Sequence, residues 1–219
     1  MKIGIINISG NVKNVTQVLN KIGYKKFNFI EDPESLKKID TLIFPGVGSF
    51  GKTIEYLHKN NLFNEIIKHI KNNKPYVGIC LGFQVLFKES DESKDVSGLS
   101  IFKNKIVKIN VAQNERHIKN LNVGWRKVNL NECPKLNSFL STEKKKYFYF
   151  MHNYYLSALN QSVFDEFSFI SYGKNKICSH IIKNNIFAFQ FHLERSGDVG
   201  IELFKKVLNN INQKNFQKS

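Results

Sequence analysis

The chain has 219 residues, a formal net charge of +15, 42% apolar residues and three cysteines. That apolar content can fill one substantial core, no stretch approaches membrane-spanning length, and Met1 to Asn7 is too short for a signal peptide's apolar segment and reads as a first strand. Cys80, Cys133 and Cys178 form no C-x-x-C pair and no metal-ligand spacing, as suits a cytoplasmic chain, and the lysines are spread throughout with abundant Asn and Ile, which favours a solvated basic surface over a nucleic-acid partner.

In chain order, residues 3–6 read as a buried strand, 14–22 as an amphipathic helix closed by Gly23, and 27–30 as a strand ending at the turn Glu31-Asp32-Pro33. Residues 41–44 form another short buried strand. It runs into Pro45-Gly46-Val47-Gly48-Ser49-Phe50-Gly51, where closely spaced glycines let a peptide turn its N–H toward a ligand at little steric cost. A phosphate-binding loop is the weaker alternative, since neither G-x-x-x-x-G-K-[ST] nor G-x-G-x-x-G occurs here, and a plain tight turn remains open. Helical patterns follow at 52–59 and 62–72.

The stretch Tyr76-Val-Gly-Ile-Cys-Leu-Gly-Phe-Gln84 then sets an apolar run against a cysteine flanked by glycines two residues to either side. This is the pattern of a nucleophile elbow, in which Gly78 and Gly82 leave room for a strained strand-to-helix turn that lifts Cys80 out of the sheet. A helix beginning at Leu81 would aim its free amide groups at the sulfur, an arrangement that favours a thiolate. The alternative is a small buried cysteine at a strand end.

Beyond the elbow the pattern changes: 105–110, 126–130 and 147–151 read as strands without long helices between them, and 168–172, 177–183 and 186–191 as a further meander with Asn184-Asn185 as a hairpin turn. The last of these strands leads into His192-Leu193-Glu194. Residues two apart on extended chain face the same way, so Glu194 can orient the His192 imidazole, which in turn can take and return the Cys80 proton. An amide of the 45–51 loop together with that of Leu81 would supply an oxyanion hole. A final helix is expected over 199–211. Strand and helix in alternation, with buried apolar strands, predict an α/β fold: an open, mostly parallel sheet with helices on both faces plus an antiparallel strand extension, in one domain over 1–212 with a frayed tail at 213–219.

Pro-Gly-Val-Gly, Gly-Ile-Cys-Leu-Gly-Phe-Gln and Gln-Phe-His-x-Glu, in this order and roughly this spacing, resemble the class I (triad-type) glutamine amidotransferases. Supporting matches are Gly124-Trp125, Phe150-Met-His-Asn-Tyr-Tyr155 and Glu194-Arg195-Ser196-Gly197, and the resemblance runs from residue 1 to about 212. It implies a flavodoxin-like sheet and hydrolysis of L-glutamine to glutamate and ammonia by Cys80, His192 and Glu194, with no cofactor and no metal. It further implies oxyanion donors at Val47, Gly48 and Leu81, and a substrate pocket of Gly46, Gln84, Glu92, His152, Asn153 and Tyr154; Glu89 and Asp91 are near enough in sequence to stand in for Glu92.

The resemblance also implies a partner, a separate HisF-type (β/α)8 cyclase subunit that forms a heterodimer and uses the ammonia in histidine biosynthesis. Asn11, Asn14, Trp125 and Arg195 match positions at that interface, although the two asparagines also suit helix caps and Trp125 equally suits a core. The chain departs from the family pattern at Asn7-Ile-Ser-Gly-Asn11, at Leu193 between the triad residues, at Arg195 where lysine is usual, and at Asn153. These departures leave room for a paralogue that supplies ammonia for amidination of a surface-polysaccharide sugar. A non-hydrolytic member of the superfamily would lack His192 and Glu194, and Gln84 suits a small amino acid better than the peptide substrate of a cysteine peptidase.

Overall fold

The computed structural model describes residues 1–8, 12–111, 119–131, 133–141, 146–157 and 163–216. In chain order the elements are β1 (Ile3–Ile6), α1 (Val12–Lys21), β2 (Phe27–Ile30), α2 (Pro33–Lys37), β3 (Thr41–Phe44), α3 (Phe50–Lys59), α4 (Leu62–Lys71), β4 (Tyr76–Ile79), α5 (Leu81–Gln84), β5 (Phe87–Ser90), β6 (Phe102–Lys108), β7 (Asn122–Lys127), α6 (Pro134–Ser138), β8 (Tyr147–His152), β9 (Tyr154–Leu156), β10 (Glu166–Tyr172), β11 (Asn175–Lys183), β12 (Ile186–Phe189) and α7 (Gly197–Phe216). A seven-stranded sheet carries the fold in the order β10-β11-β12-β4-β3-β1-β2. Its five strands from β12 to β2 are parallel, and β11 and β10 extend it antiparallel.

The parallel strands are short and apolar on both faces because each face is covered. Ile3, Ile5, Ile43, Val77, Ile79, Phe187 and Phe189 point into one core with α1 and α7, whereas Leu42, Phe44, Tyr76 and Ala188 point into the other with α2, α3 and α4. In α1 the spacing of Val12, Val15, Val18 and Leu19 puts one stripe on the sheet. Burying each such side chain contributes about 1.5–3 kcal/mol before conformational entropy is set against it.

Several elements differ from the sequence expectation, each for a local reason. The short helix α2 is set by Asp32, whose carboxylate accepts from Ser35 N at 2.7 Å, and by Pro33 at the first helical position. The strand expected at 126–130 begins at Asn122, because β7 takes its register from β8, pairing Asn122 with His152 through Lys127 with Tyr147. Two further strands, β5 and β9, flank β6 in a small separate sheet; the brevity of both hides any period in the sequence. The strand β12 ends at Phe189 rather than 191, and α7 runs past 211 to Phe216, while 217–219 lie outside the described residues. No helix among the described residues is long and apolar enough to cross a membrane.

What positions a site is the strand order. The neighbours β3, β4 and β12 are parallel, so the 45–49 loop, Cys80 and the 190–194 segment leave the sheet side by side at the same edge. The ribbon of β7 and β8 is laid over that edge, anchored by the stacked rings of Phe148 and Phe191 (centroids 4.2 Å apart) and by a bridge from Tyr149 to His192.

Candidate active site

Cys80 stands at the elbow with φ 51° and ψ −99°, a conformation a non-glycine residue holds at a cost of about 1–3 kcal/mol. Both of its peptides are pinned. Cys80 N donates to Phe189 O at 2.7 Å, and Cys80 O accepts from Phe83 N and Gln84 N at 3.0 and 3.1 Å. The flanking glycines are required by close approach: a Cβ on Gly78 would lie 2.6 Å from Gly82 O, and one on Gly82 only 1.9 Å from Phe44 O. The helix after the cysteine, α5, is a single turn, and its amides at Leu81, Phe83 and Gln84 donate to the carbonyls of Gly46 and Cys80 within the protein.

His192 is fully buried, with its N–H held by Tyr149 O at 2.9 Å. Its Nδ1 donates to Glu194 Oε1 at 2.7 Å, and both side chains are inaccessible to solvent. A carboxylate only accepts, so the proton sits on Nδ1 and Nε2 is left to face Cys80. Burial pushes the imidazole pKa down, but the charge and hydrogen bond of Cys80, followed by those of Glu194, outweigh it and raise it to about 10. The pairing with Glu194 arises differently from the extended-chain expectation. The chain has already left the strand, and a 3-10 turn over Leu193–Arg195 folds the carboxylate back onto the ring. Ser196 locks that turn by donating to His192 O and accepting from Tyr149 N.

In front of Cys80 lies a cleft of about 230 Å³. Of the residues singled out in the sequence, Val47, Gly48, Cys80, Leu81, Gln84, Glu92, His152, Asn153 and Tyr154 line it; Leu121 and Met151 are added by the ribbon. Glu92 reaches the cleft while its Oε2 accepts from Phe50 N at 2.9 Å at the start of α3. Its neighbours are placed elsewhere, Asp91 on Lys105 at 2.7 Å and Glu89 beside Lys88. His152 is neutral: burial, first of all, pulls its pKa down to about 3. Gly46 lies beneath the cleft wall, and its carbonyl accepts from Leu81 N at 3.3 Å, so the Leu81 amide expected to receive an oxyanion is bonded within the protein. An anion taking that donor must displace the Gly46 carbonyl.

Residues that sequence reasoning left aside complete the surroundings. Gln190 is fully buried beside Cys80, and Asn122 is buried against His152. The family motif already contained Gln190, but only as the residue two before the histidine; nothing in a linear pattern marks Asn122.

On the outer side, Trp125 is 49% exposed and meets Tyr149 edge-on with centroids 6.0 Å apart, so it is a surface residue and not a core one. Arg195 is exposed in the 3-10 turn, and α1 packs against that turn with Asn14 inside its first turn, not at its cap. Asn11 lies outside the described residues. Among the described residues no cluster of His, Cys, Asp and Glu could hold a metal ion.

An elbow cysteine, a buried His-Glu pair and a small cleft at the carboxyl edge of a mostly parallel sheet define an amide-hydrolysing class, and the family model for class-I glutamine amidotransferases matches residues 5–210: the chain belongs to that family and is a glutamine amidotransferase. Its relatives narrow the class further. The chain is 38% identical over 205 residues (93% of this chain, 95% of the relative) to "Imidazole glycerol phosphate synthase subunit HisH" of Caldanaerobacter subterraneus subsp. tengcongensis. It is 35% identical over 215 residues (94% and 97%) to the protein of the same name from Cyanidium caldarium. A solved glutamine amidotransferase shares the fold at a TM-score of 0.72 and 14% identity, covering 96% of this chain and 98% of the other.

Proposed function

We propose that this chain is the glutaminase subunit of an imidazole glycerol phosphate synthase, hydrolysing L-glutamine and handing the ammonia to a HisF-type (β/α)8 cyclase subunit in a cytoplasmic heterodimer. The observation that carries the chemistry is that Cys80, which lines the 230 Å³ cleft, meets His192, itself paired with Glu194, with both of these side chains buried. The names of the relatives support the pathway and favour histidine biosynthesis over sugar amidination.

In this reading the Cys80 thiolate attacks the side-chain amide carbon of glutamine, forming a C–S bond and an oxyanion that takes amides near Val47, Gly48 and Leu81. The imidazolium of His192 gives its Nε2 proton to the departing nitrogen as the C–N bond breaks, releasing ammonia and leaving a glutamyl thioester. His192, now neutral, takes a proton from water. The hydroxide adds to the thioester, the C–S bond breaks, and glutamate leaves with Cys80 again a thiolate. Gln84, Glu92, Asn153 and Tyr154 hold the amino-acid end of the substrate. Glu194 keeps the ring in the Nδ1–H form throughout.

Trp125, Arg195, Asn14 and Asn11 serve the partner interface. The exposed apolar side chains of the ribbon, Leu121, Val123, Trp125 and Tyr147, support a docking face that continues into the cleft through Leu121 and Met151. Glutamate release measured for the purified chain, alone and with a co-expressed cyclase subunit, tests the reading. Stimulation by the partner and complementation of a histidine auxotroph lacking this subunit are the expected results; failure of both refutes it.

A further inference from the structure

Gln190, between β12 and His192, is fully buried, and its Nε2 lies 3.7 Å from Cys80 Sγ. Its Oε1 accepts from Gln84 Nε2 at 3.2 Å, and the same Gln84 nitrogen donates to the backbone carbonyl of Tyr154 at 2.8 Å. A side-chain amide taken alone can be turned over, exchanging its donor and its acceptor. Here Tyr154 O removes the choice, because a carbonyl only accepts. Gln84 must present its nitrogen there, the second proton of that nitrogen goes to Gln190 Oε1, and Gln190 is left with an N–H toward the sulfur.

A second arm holds the same carbonyl. His152 Nδ1 donates to Tyr154 O at 2.9 Å, its Nε2 accepts from Asn122 Nδ2 at 3.0 Å, and Asn122 Oδ1 accepts from Arg126 Nε at 3.0 Å. A guanidinium has no acceptor, so each bond of this arm has one allowed direction as well. Besides His192, whose Nε2 faces the sulfur, Met151 O lies 3.7 Å away and can accept from a thiol but offers nothing to a thiolate.

We propose that Gln190 is a thiolate-holding residue: its amide N–H, aimed through Gln84 by the carbonyl of Tyr154, donates to Cys80 Sγ and steadies negative charge on the sulfur before glutamine arrives. This rests on Cys80 being the nucleophile. The carbonyl of Met151 suits the protonated sulfur and the amide of Gln190 the charged one, so the amide adds to the support that the His192 imidazolium gives the thiolate.

The test is the rate of Cys80 alkylation by iodoacetamide across pH, followed by mass spectrometry of the Cys80 peptide, in the wild-type chain, Gln190→Met and Gln190→Glu. Gln190→Met keeps the bulk and loses the donor, so its profile moves to higher pH and its rate at neutral pH falls about tenfold, the size of one hydrogen bond to a charged group. Gln190→Glu, which sets a second negative charge beside the sulfur, falls further. In glutamine hydrolysis Gln190→Met loses kcat more than it raises KM. Identical alkylation profiles for wild type and Gln190→Met would overturn the inference and leave Cys80 as nucleophile; a wild-type Cys80 no more reactive than a free thiol would overturn both. An NMR titration of the wild-type chain needs no variant: the side-chain amide protons of Gln190 shift with the same midpoint as alkylation, and their indifference to it would equally refute the assignment.

Discussion

The hydroxyl of Tyr76 donates to the carbonyl of Gly82 at 2.7 Å, inside the core and across the base of the turn that carries Cys80. One residue begins the strand before the nucleophile and the other sits in the turn after it, so this bond closes the elbow.

Gly82→Ala would drive a methyl group onto Phe44 O, against neighbouring β3. Overpacking against backbone cannot be relieved by a rotamer change, and a loss of about 3 kcal/mol or more is expected. Tyr76→Phe removes one buried hydrogen bond and costs about 1–2 kcal/mol. Urea denaturation of both variants measures the difference, and equal midpoints would show that the elbow is not closed in this way.

Cys80→Ala leaves the fold intact, since Cys80 contributes little buried area, and lowers glutamate release by at least about a thousandfold. Thermal melting with a coupled glutamate assay checks both halves of the statement. Residual turnover near the wild-type rate would place the nucleophile elsewhere.

Glu194→Gln tests the tautomer and the charge together. The folded pKa of His192 is raised above its ordinary 6.5, so the native state keeps a proton that the unfolded chain loses, and the stability this contributes is full below pH 6.5 and lost as pH rises through about 10. Activity that depends on the imidazolium therefore has its alkaline limb near pH 10. Glu194→Gln moves that limb to lower pH and reduces kcat by roughly a thousandfold or more. A pH profile of kcat/KM unchanged by the substitution is the contrary result.

Three other histidines act in the opposite sense. Burial lowers the pKa of His69 to about 4 and of His152 and His180 to about 3. Their folded values lie below 6.5, so the unfolded chain binds more protons, and stability present above pH 6.5 is lost as pH falls. Each fully titrating site adds a slope of about 1.4 kcal/mol per pH unit. Denaturation midpoints measured from pH 7 to pH 4.5 should fall steeply, and His180→Asn should flatten the curve.

Trp125→Ala and Arg195→Glu change exposed groups, so melting temperatures should move by less than about 2 °C. Their expected effect is on the partner: affinity for a co-purified cyclase subunit falls about tenfold or more, read by titration calorimetry. Unaltered affinity would remove the ribbon from the interface.

Much of the site was legible because its parts are local. The Gly-x-Cys-x-Gly elbow is a short-range steric requirement, and the parallel strands announce themselves as apolar runs between turn residues. The legible part of the His192-Glu194 pair was its composition, while its geometry came from a 3-10 turn that a two-residue strand period does not describe. Trp125 was undecided between core and surface, because one aromatic residue fits either; only the register of β7 on β8 turned it outward.

Sequence alone singled out Cys80, His192 and Glu194 as the candidate residues and showed that the runs at 41–44 and 76–79 end in glycine-bearing turns. Whether those turns meet was decided by strand order, which placed β12 directly beside β4 although the two are far apart in the chain. The directions of the hydrogen bonds around the sulfur were likewise decided only by folding. Donor and acceptor roles in Gln84, Gln190, His152 and Asn122 are interchangeable or ambiguous in isolation, and they become single-valued when packing sets them against a carbonyl that can only accept and a guanidinium that can only donate.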